Sequence, residues 1–238
     1  MEGESVRSRG HRVKRGGVVA RSKSSGRWLR EHFQDPYVQR AAKEGYRSRA
    51  SYKLLEIQEK DRILHRGMRV LDLGAAPGGW TQVAAACLGP QARIVAVDRL
   101  PMDPVASATV ICGDINDPGV IAQCQETLGG GVDLILSDMA PNMSGIASVD
   151  QARAMALCEL ALDLAQDWLL PGGALLMKVF MGAGAEDLRR QIKNSFKKIV
   201  VRKPEASRAR STEQYWLAME FKPDPLREEE LDSSSAAD

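Results

Sequence analysis

From Arg69 onward, short runs rich in Val, Ile and Leu, several of them ending in glycine or an acid, are separated by longer stretches of helical periodicity. Few architectures tolerate that alternation. Strand-like segments fall at 69–73, 93–98, 108–112, 133–137, 174–180, 198–202 and 215–221, and helical ones at 79–88, 118–128, 148–169 and 185–196. This rhythm predicts an α/β fold with a doubly wound, largely parallel sheet and helices on both faces. The Pro/Ser/Arg connection between the last two strands is too short for a helical crossover, which predicts an antiparallel pair at the sheet edge.

A chain of 238 residues that is 44% hydrophobic suffices for one sizeable domain, expected over 26–222. The net charge of +2 conceals an asymmetry: residues 1–53 carry fourteen Lys/Arg against five Asp/Glu, so the remainder is acidic. Residues 1–25 read as a disordered basic arm, and 223–238, with Glu228, Glu229 and Glu230, as a disordered acidic tail. The basic excess favours a polyanionic partner, or simply a solvated leader. Residues 26–65 read as helical. Within them Tyr46-Arg47-Ser48-Arg49-Ala50-Ser51-Tyr52-Lys53 interleaves aromatic and basic residues, as an RNA-facing surface or a polar helix start would. No apolar run is long enough to span a membrane. Glu2 and Glu4 argue against a mitochondrial transit peptide. Cys87, Cys112, Cys124 and Cys158 lack C-x-x-C spacing and read as small core residues of a cytoplasmic, reducing compartment, with no metal site among them.

In an open α/β sheet the ligand crevice lies beyond the carboxyl ends of the strands. The first strand feeds Asp72-Leu73-Gly74-Ala75-Ala76-Pro77-Gly78-Gly79-Trp80, whose spacing matches neither a dinucleotide fingerprint nor a P-loop. It is a close-approach loop for a ligand without a diphosphate, or a structural turn. Asp98, twenty residues beyond Gly78, suits ribose hydroxyls or a strand-end turn; Asp114 suits an exocyclic amine or a helix N-cap. Asp138 follows an apolar strand and precedes Pro141, while Lys178 interrupts an otherwise apolar one. A lysine in such a strand needs a partner or a function, and an Asp138–Lys178 salt bridge satisfies either reading.

Four separated segments, Asp72–Trp80 (DLGAAPGGW), Ser137–Met143 (SDMAPNM), Lys178–Phe180 (KVF) and Lys203–Arg210 (KPEASRAR), resemble the RrmJ/FtsJ family of S-adenosylmethionine-dependent ribosomal RNA 2′-O-ribose methyltransferases, over roughly residues 22–221. The resemblance implies a Rossmann-like seven-stranded sheet with an antiparallel last strand, and a catalytic set of Lys53, Asp138, Lys178 and Glu213. It further implies an S-adenosyl-L-methionine pocket lined by Gly78, Trp80, Asp98, Asp114 and Asp138, without a metal. The implied substrate is the ribose of a uridine in 23S ribosomal RNA, met within the large ribosomal subunit. The implied partner is therefore RNA, with no membrane and no obligate protein partner. In that reading Lys178 takes the hydroxyl proton or stabilises the alkoxide, Asp138 orients it, and Lys53 and Glu213 position the ribose. Arg47, Arg49, Lys53, Arg202, Lys203, Arg208 and Arg210 form the expected RNA surface. Two competitors remain: an enzyme of the same fold with a protein or small-molecule acceptor, and a non-catalytic RNA-binding factor. An oxidoreductase is disfavoured by the loop spacing.

Overall fold

The computed structural model describes residues 33–223 apart from Ala209. The expected basic arm, Trp28, Leu29 and the acidic tail past Pro223 lie outside these residues. Two helices, α1 (Pro36–Glu44) and α2 (Ala50–Asp61), precede β1 (Arg69–Leu73), α3 (Gly79–Leu88), β2 (Arg93–Asp98), β3 (Thr109–Cys112), α4 (Pro118–Leu128) and β4 (Val132–Ser137). The chain continues through α5 (Ala147–Trp168), β5 (Leu169–Phe180), α6 (Ala185–Ser195), β6 (Phe196–Arg202) and β7 (Glu213–Phe221).

The strands form one seven-stranded sheet in the order β3-β2-β1-β4-β5-β7-β6. Strands β1 to β5 run parallel, while β7 is antiparallel to both of its neighbours. The expected antiparallel pair is present, with β6 at the edge and β7 inserted between it and β5. Strand β5 starts at Leu169, earlier than the apolar run suggests, and the register with β4 shifts across Pro171-Gly172-Gly173.

Strand side chains alternate between two cores. Leu71, Val95, Ile135, Leu175 and Trp216 face α5 and α6, burying Met155, Leu162 and Ile192. On the other face Val70, Leu134, Leu136, Leu176, Tyr215 and Leu217 pack with Leu54 and Ile57 of α2 and Trp80 and Val83 of α3. Helix α2 is therefore a core element, which also buries Ser51 and Lys53. Cys124 and Cys158 are buried as expected, but Cys87 is only half-buried and Cys112 is exposed, because α3 and β3 lie on the periphery. Among the described residues no helix is long and apolar enough to cross a membrane.

Candidate active site

Register explains how residues 53, 138, 178 and 213 come together. Lys178 on β5 lies opposite Tyr215 on β7, and Phe180 opposite Glu213, so Lys178, Tyr215 and Glu213 share the sheet face covered by α2. Ser137, the last residue of β4, pairs with Met177, which brings Asp138 level with Lys178. Lys53 descends from α2 onto the same spot. Its ammonium lies 2.8 Å from Glu213 Oε1 and donates to the Tyr215 hydroxyl at 2.9 Å. Tyr215 donates in turn to Asp138 Oδ1 at 2.7 Å. Lys178 Nζ lies 3.0 Å from that same oxygen and donates to the Asp138 carbonyl at 2.6 Å. The result is a continuous chain, Glu213–Lys53–Tyr215–Asp138–Lys178.

Burial opposes the charge on Asp138, but Lys178 first and then Lys53 and the Tyr215 hydroxyl hold its carboxyl below the usual range. Burial likewise opposes Glu213, and Lys53, with Ser207 and Lys178, more than offsets it, so its carboxyl is held below the usual range. Burial, followed by the charges of Asp138 and Glu213, pushes the Tyr215 hydroxyl well above its ordinary value, so it stays a protonated donor. Tyr215 is completely buried. It is the member of this hydrogen-bonded chain that the sequence does not single out. Its signal was alternation: two residues beyond Glu213 on a strand is the same face. Next to this chain opens a cleft of about 460 Å³ lined by Arg49, Lys53, Arg208, Arg210, Ser211 and Glu213.

The glycine loop lies between β1 and α3, with Asp98 beneath it: Asp98 Oδ2 accepts from Ala76 N at 3.0 Å and Oδ1 from Leu100 N at 2.8 Å. Asp114 accepts from the backbone and side-chain amides of Asn116 at 3.0 and 2.9 Å, which lowers its pKa. It is not the N-cap of α4, a role taken by Asp117. Trp80 turns away from the crevice. Its ring packs 5.6 Å from that of Tyr215 and its Nε1 donates to Ala50 O at 2.8 Å, so only its backbone can face a ligand. Gly78 has φ 103°, and a Cβ there would come within 2.6 Å of Arg47 Nη1. A Cβ at Gly79 would meet Ser48 and come within 2.7 Å of Ser51 Oγ. These two glycines thus admit the segment before α2 as well as any ligand. Asp72, two residues upstream of Gly74, is completely buried; Oδ2 accepts from Thr81 Oγ1 at 2.7 Å, while Oδ1 has no partner. Burial pushes its pKa up to about 7, aided by the charges of Asp138 and Asp98 and opposed by the Thr81 bond.

Three carboxylates around a glycine turn, joined to a Lys–Asp–Lys–Glu set, are the pattern of the resemblance, and comparison with known proteins decides it. Residues 46–221 match the family described as FtsJ-like methyltransferase. The chain belongs to that family. It is 71% identical over 219 residues to the ribosomal RNA large subunit methyltransferase E of Acidithiobacillus ferrooxidans, covering 92% of this chain and 99% of that one. It is 57% identical over 205 residues to the protein of the same name from Pseudomonas aeruginosa, covering 86% and 99%. A crystal structure from Plasmodium falciparum, described as that of a ribosomal RNA methyltransferase, superposes with a TM-score of 0.67 at 26% identity, covering 75% of this chain and all of that one.

The expected RNA surface of this FtsJ-like methyltransferase is partly spent on its own architecture. Arg47 donates to the carbonyls of Pro77 at 3.2 Å and of Asp103 and Pro104 at 2.6 Å, clamping the glycine loop. Arg202 forms a bidentate pair with Asp61 at 2.6 and 2.8 Å, and Lys203 donates to Ser211 O and Glu213 O at 2.6 and 2.5 Å. Arg49 donates to Ala206 O. Tyr52 is buried with its hydroxyl on Glu44 at 2.9 Å and its ring 5.5 Å from that of Tyr46, so it offers no stacking platform. Arg208 and Arg210 reach the cleft beside Lys53. A second hollow, of about 490 Å³, between Tyr46, Gln82 and Pro104–Ser107 contains none of the sequence-predicted catalytic or pocket residues.

Proposed function

We propose that this methyltransferase moves a methyl group from S-adenosyl-L-methionine to the ribose 2′-hydroxyl of a uridine in 23S ribosomal RNA of the large subunit. The observation that carries the reading is the unbroken Glu213–Lys53–Tyr215–Asp138–Lys178 chain beside a basic cleft. A protein-directed or small-molecule enzyme of this fold has no need of two lysines and two acids arranged in that way.

The chemistry of the donor crevice fits the cofactor. Asp98, Asp114 and Asp138 surround the glycine turn, a set suited to ribose hydroxyls, an exocyclic amine and a cationic amino-acid end. Gly78, the Trp80 backbone, Asp98, Asp114 and Asp138 would hold it. Bound S-adenosylmethionine supplies an electrophilic sulfonium methyl.

Lys178 meets the ribose 2′-oxygen. Two of its three donors are engaged by Asp138, which fixes the ammonium and leaves one N–H for negative charge developing on that oxygen, while the hydroxyl proton passes to water in the open cleft as the oxygen takes the methyl. Asp138 orients Lys178. Lys53 and Glu213 hold the ribose against the cleft, and Tyr215 makes their position depend on that of Asp138. Alignment of the two reactants accounts for much of the acceleration. The test is transfer of labelled methyl from S-adenosylmethionine to unmethylated large subunits, followed by nucleoside analysis. Label should appear on a 2′-O-methyluridine; label on a base or on protein alone would overturn the reading.

A further inference from the structure

The loop between β4 and α5 leaves directly from Asp138, and it does something unusual with apolar side chains. Met143 and Ile146 are 62% and 60% exposed. The backbone beneath them is nevertheless fixed. Asp150, in the first turn of α5, accepts from Ser144 N and Ser144 Oγ at 2.7 Å and from Gly145 N at 3.1 Å. Ile146 N donates to Ser144 Oγ at 3.2 Å, and Arg153 reaches Asn142 O at 3.4 Å. The braced backbone presents both apolar groups to solvent on the loop that leaves Asp138.

The active site is polarised along its length. At the Lys53–Glu213 end lies the arginine-lined cleft; at the Asp138 end begins the loop carrying Met143 and Ile146. A nucleotide is polarised in the same sense, with an anionic phosphate, a central ribose and an apolar base face. The target ribose must also reach the buried ammonium of Lys178, deeper than a ribose kept in a regular helix goes, and an unstacked base face then needs a new neighbour. We propose that Met143 and Ile146 pack against the base of the nucleotide whose ribose is methylated and hold it out of the stack. The inference rests on the ribose-methyltransferase reading and adds to it a base contact beyond the catalytic set.

The test uses the full chain carrying M143S and I146S together, with large ribosomal subunits from cells lacking the methyltransferase. Loss of one base-stacking surface should lower kcat/KM for subunits about 10- to 100-fold. Affinity for S-adenosylmethionine, measured by equilibrium dialysis, and Tm should stay at wild-type values. A photoreactive diazirine analogue of methionine at position 143 should crosslink to the base of the nucleotide whose ribose carries the new methyl. A double variant within about threefold of wild type, or crosslinks to ribosomal protein or distant RNA, would overturn the proposal while leaving ribose methylation standing. A wild-type protein that places no methyl on ribose would instead remove the parent reading and this inference with it.

Discussion

The proposed donor crevice and the proposed catalytic chain are built by opposite means. The crevice is local: Asp98 binds the backbone at Ala76 and Leu100, Asp114 binds Asn116, and the glycine turn connects adjacent elements. The catalytic chain is long-range, joining Lys53 from α2, Asp138 from the end of β4, Lys178 from β5, and Glu213 and Tyr215 from β7. Loops that bind by backbone and short turns tolerate a variety of side chains around them. A chain of buried charges does not, because removal of one member leaves its neighbour unpaired.

The largest effect expected follows from that contrast. Lys178→Ala should lower methyl transfer to subunits about 10²- to 10⁴-fold, the range for loss of a group acting on a transferred proton or its charge. Binding of S-adenosylmethionine, read by equilibrium dialysis, should weaken far less, since Asp138 is the one proposed crevice residue that Lys178 touches. Comparable loss of donor binding would show that the two regions are one unit. Tyr215→Phe should be milder, about tenfold in kcat, because the ring still fills the core against Trp80 while the link between Lys53 and Asp138 is lost. A wild-type kcat for this variant would reduce Tyr215 to packing.

The smallest effect is one of stability, and it separates the regions by pH. The folded pKa of Asp72 is raised to about 7, so its contribution is greatest below its unfolded value near 4 and is lost as pH rises towards 7. Asp138 and Glu213 have lowered folded values, so their contribution is present above about pH 4 and is lost on further acidification. Asp72→Asn should therefore flatten the dependence of Tm on pH between about 4 and 7, leaving the acid limb below about 4 in place. Superimposable profiles for variant and wild type would mean that Asp72 ionises normally.

What was legible in the sequence follows the same division. The strand rhythm, the glycine turn and the acids ending β2 and β4 are local patterns, and the structure has them within a few residues of the expected bounds. Lys178 also stood out, since a lysine inside an apolar strand must find a partner, and Asp138 is that partner. The links made across the fold were not legible. Arg47 and Arg202 have the composition of an RNA surface but serve Pro77, Asp103, Pro104 and Asp61, partners fixed only by packing. Trp80 was assigned to the cofactor pocket, whereas its indole is core; a motif specifies a residue without saying which of its faces is used.

The position of β7 has a consequence for a growing polypeptide. Strand β7 supplies Glu213 and Tyr215, yet it inserts between β5 and β6, which are made before it. Until its residues have been synthesised, β5 offers the row of open backbone groups from Leu175 to Phe180 that β7 will occupy, and Lys53 lacks both of its partners. In the proposed mechanism Lys53 therefore gains both of its partners only in the step that closes the sheet.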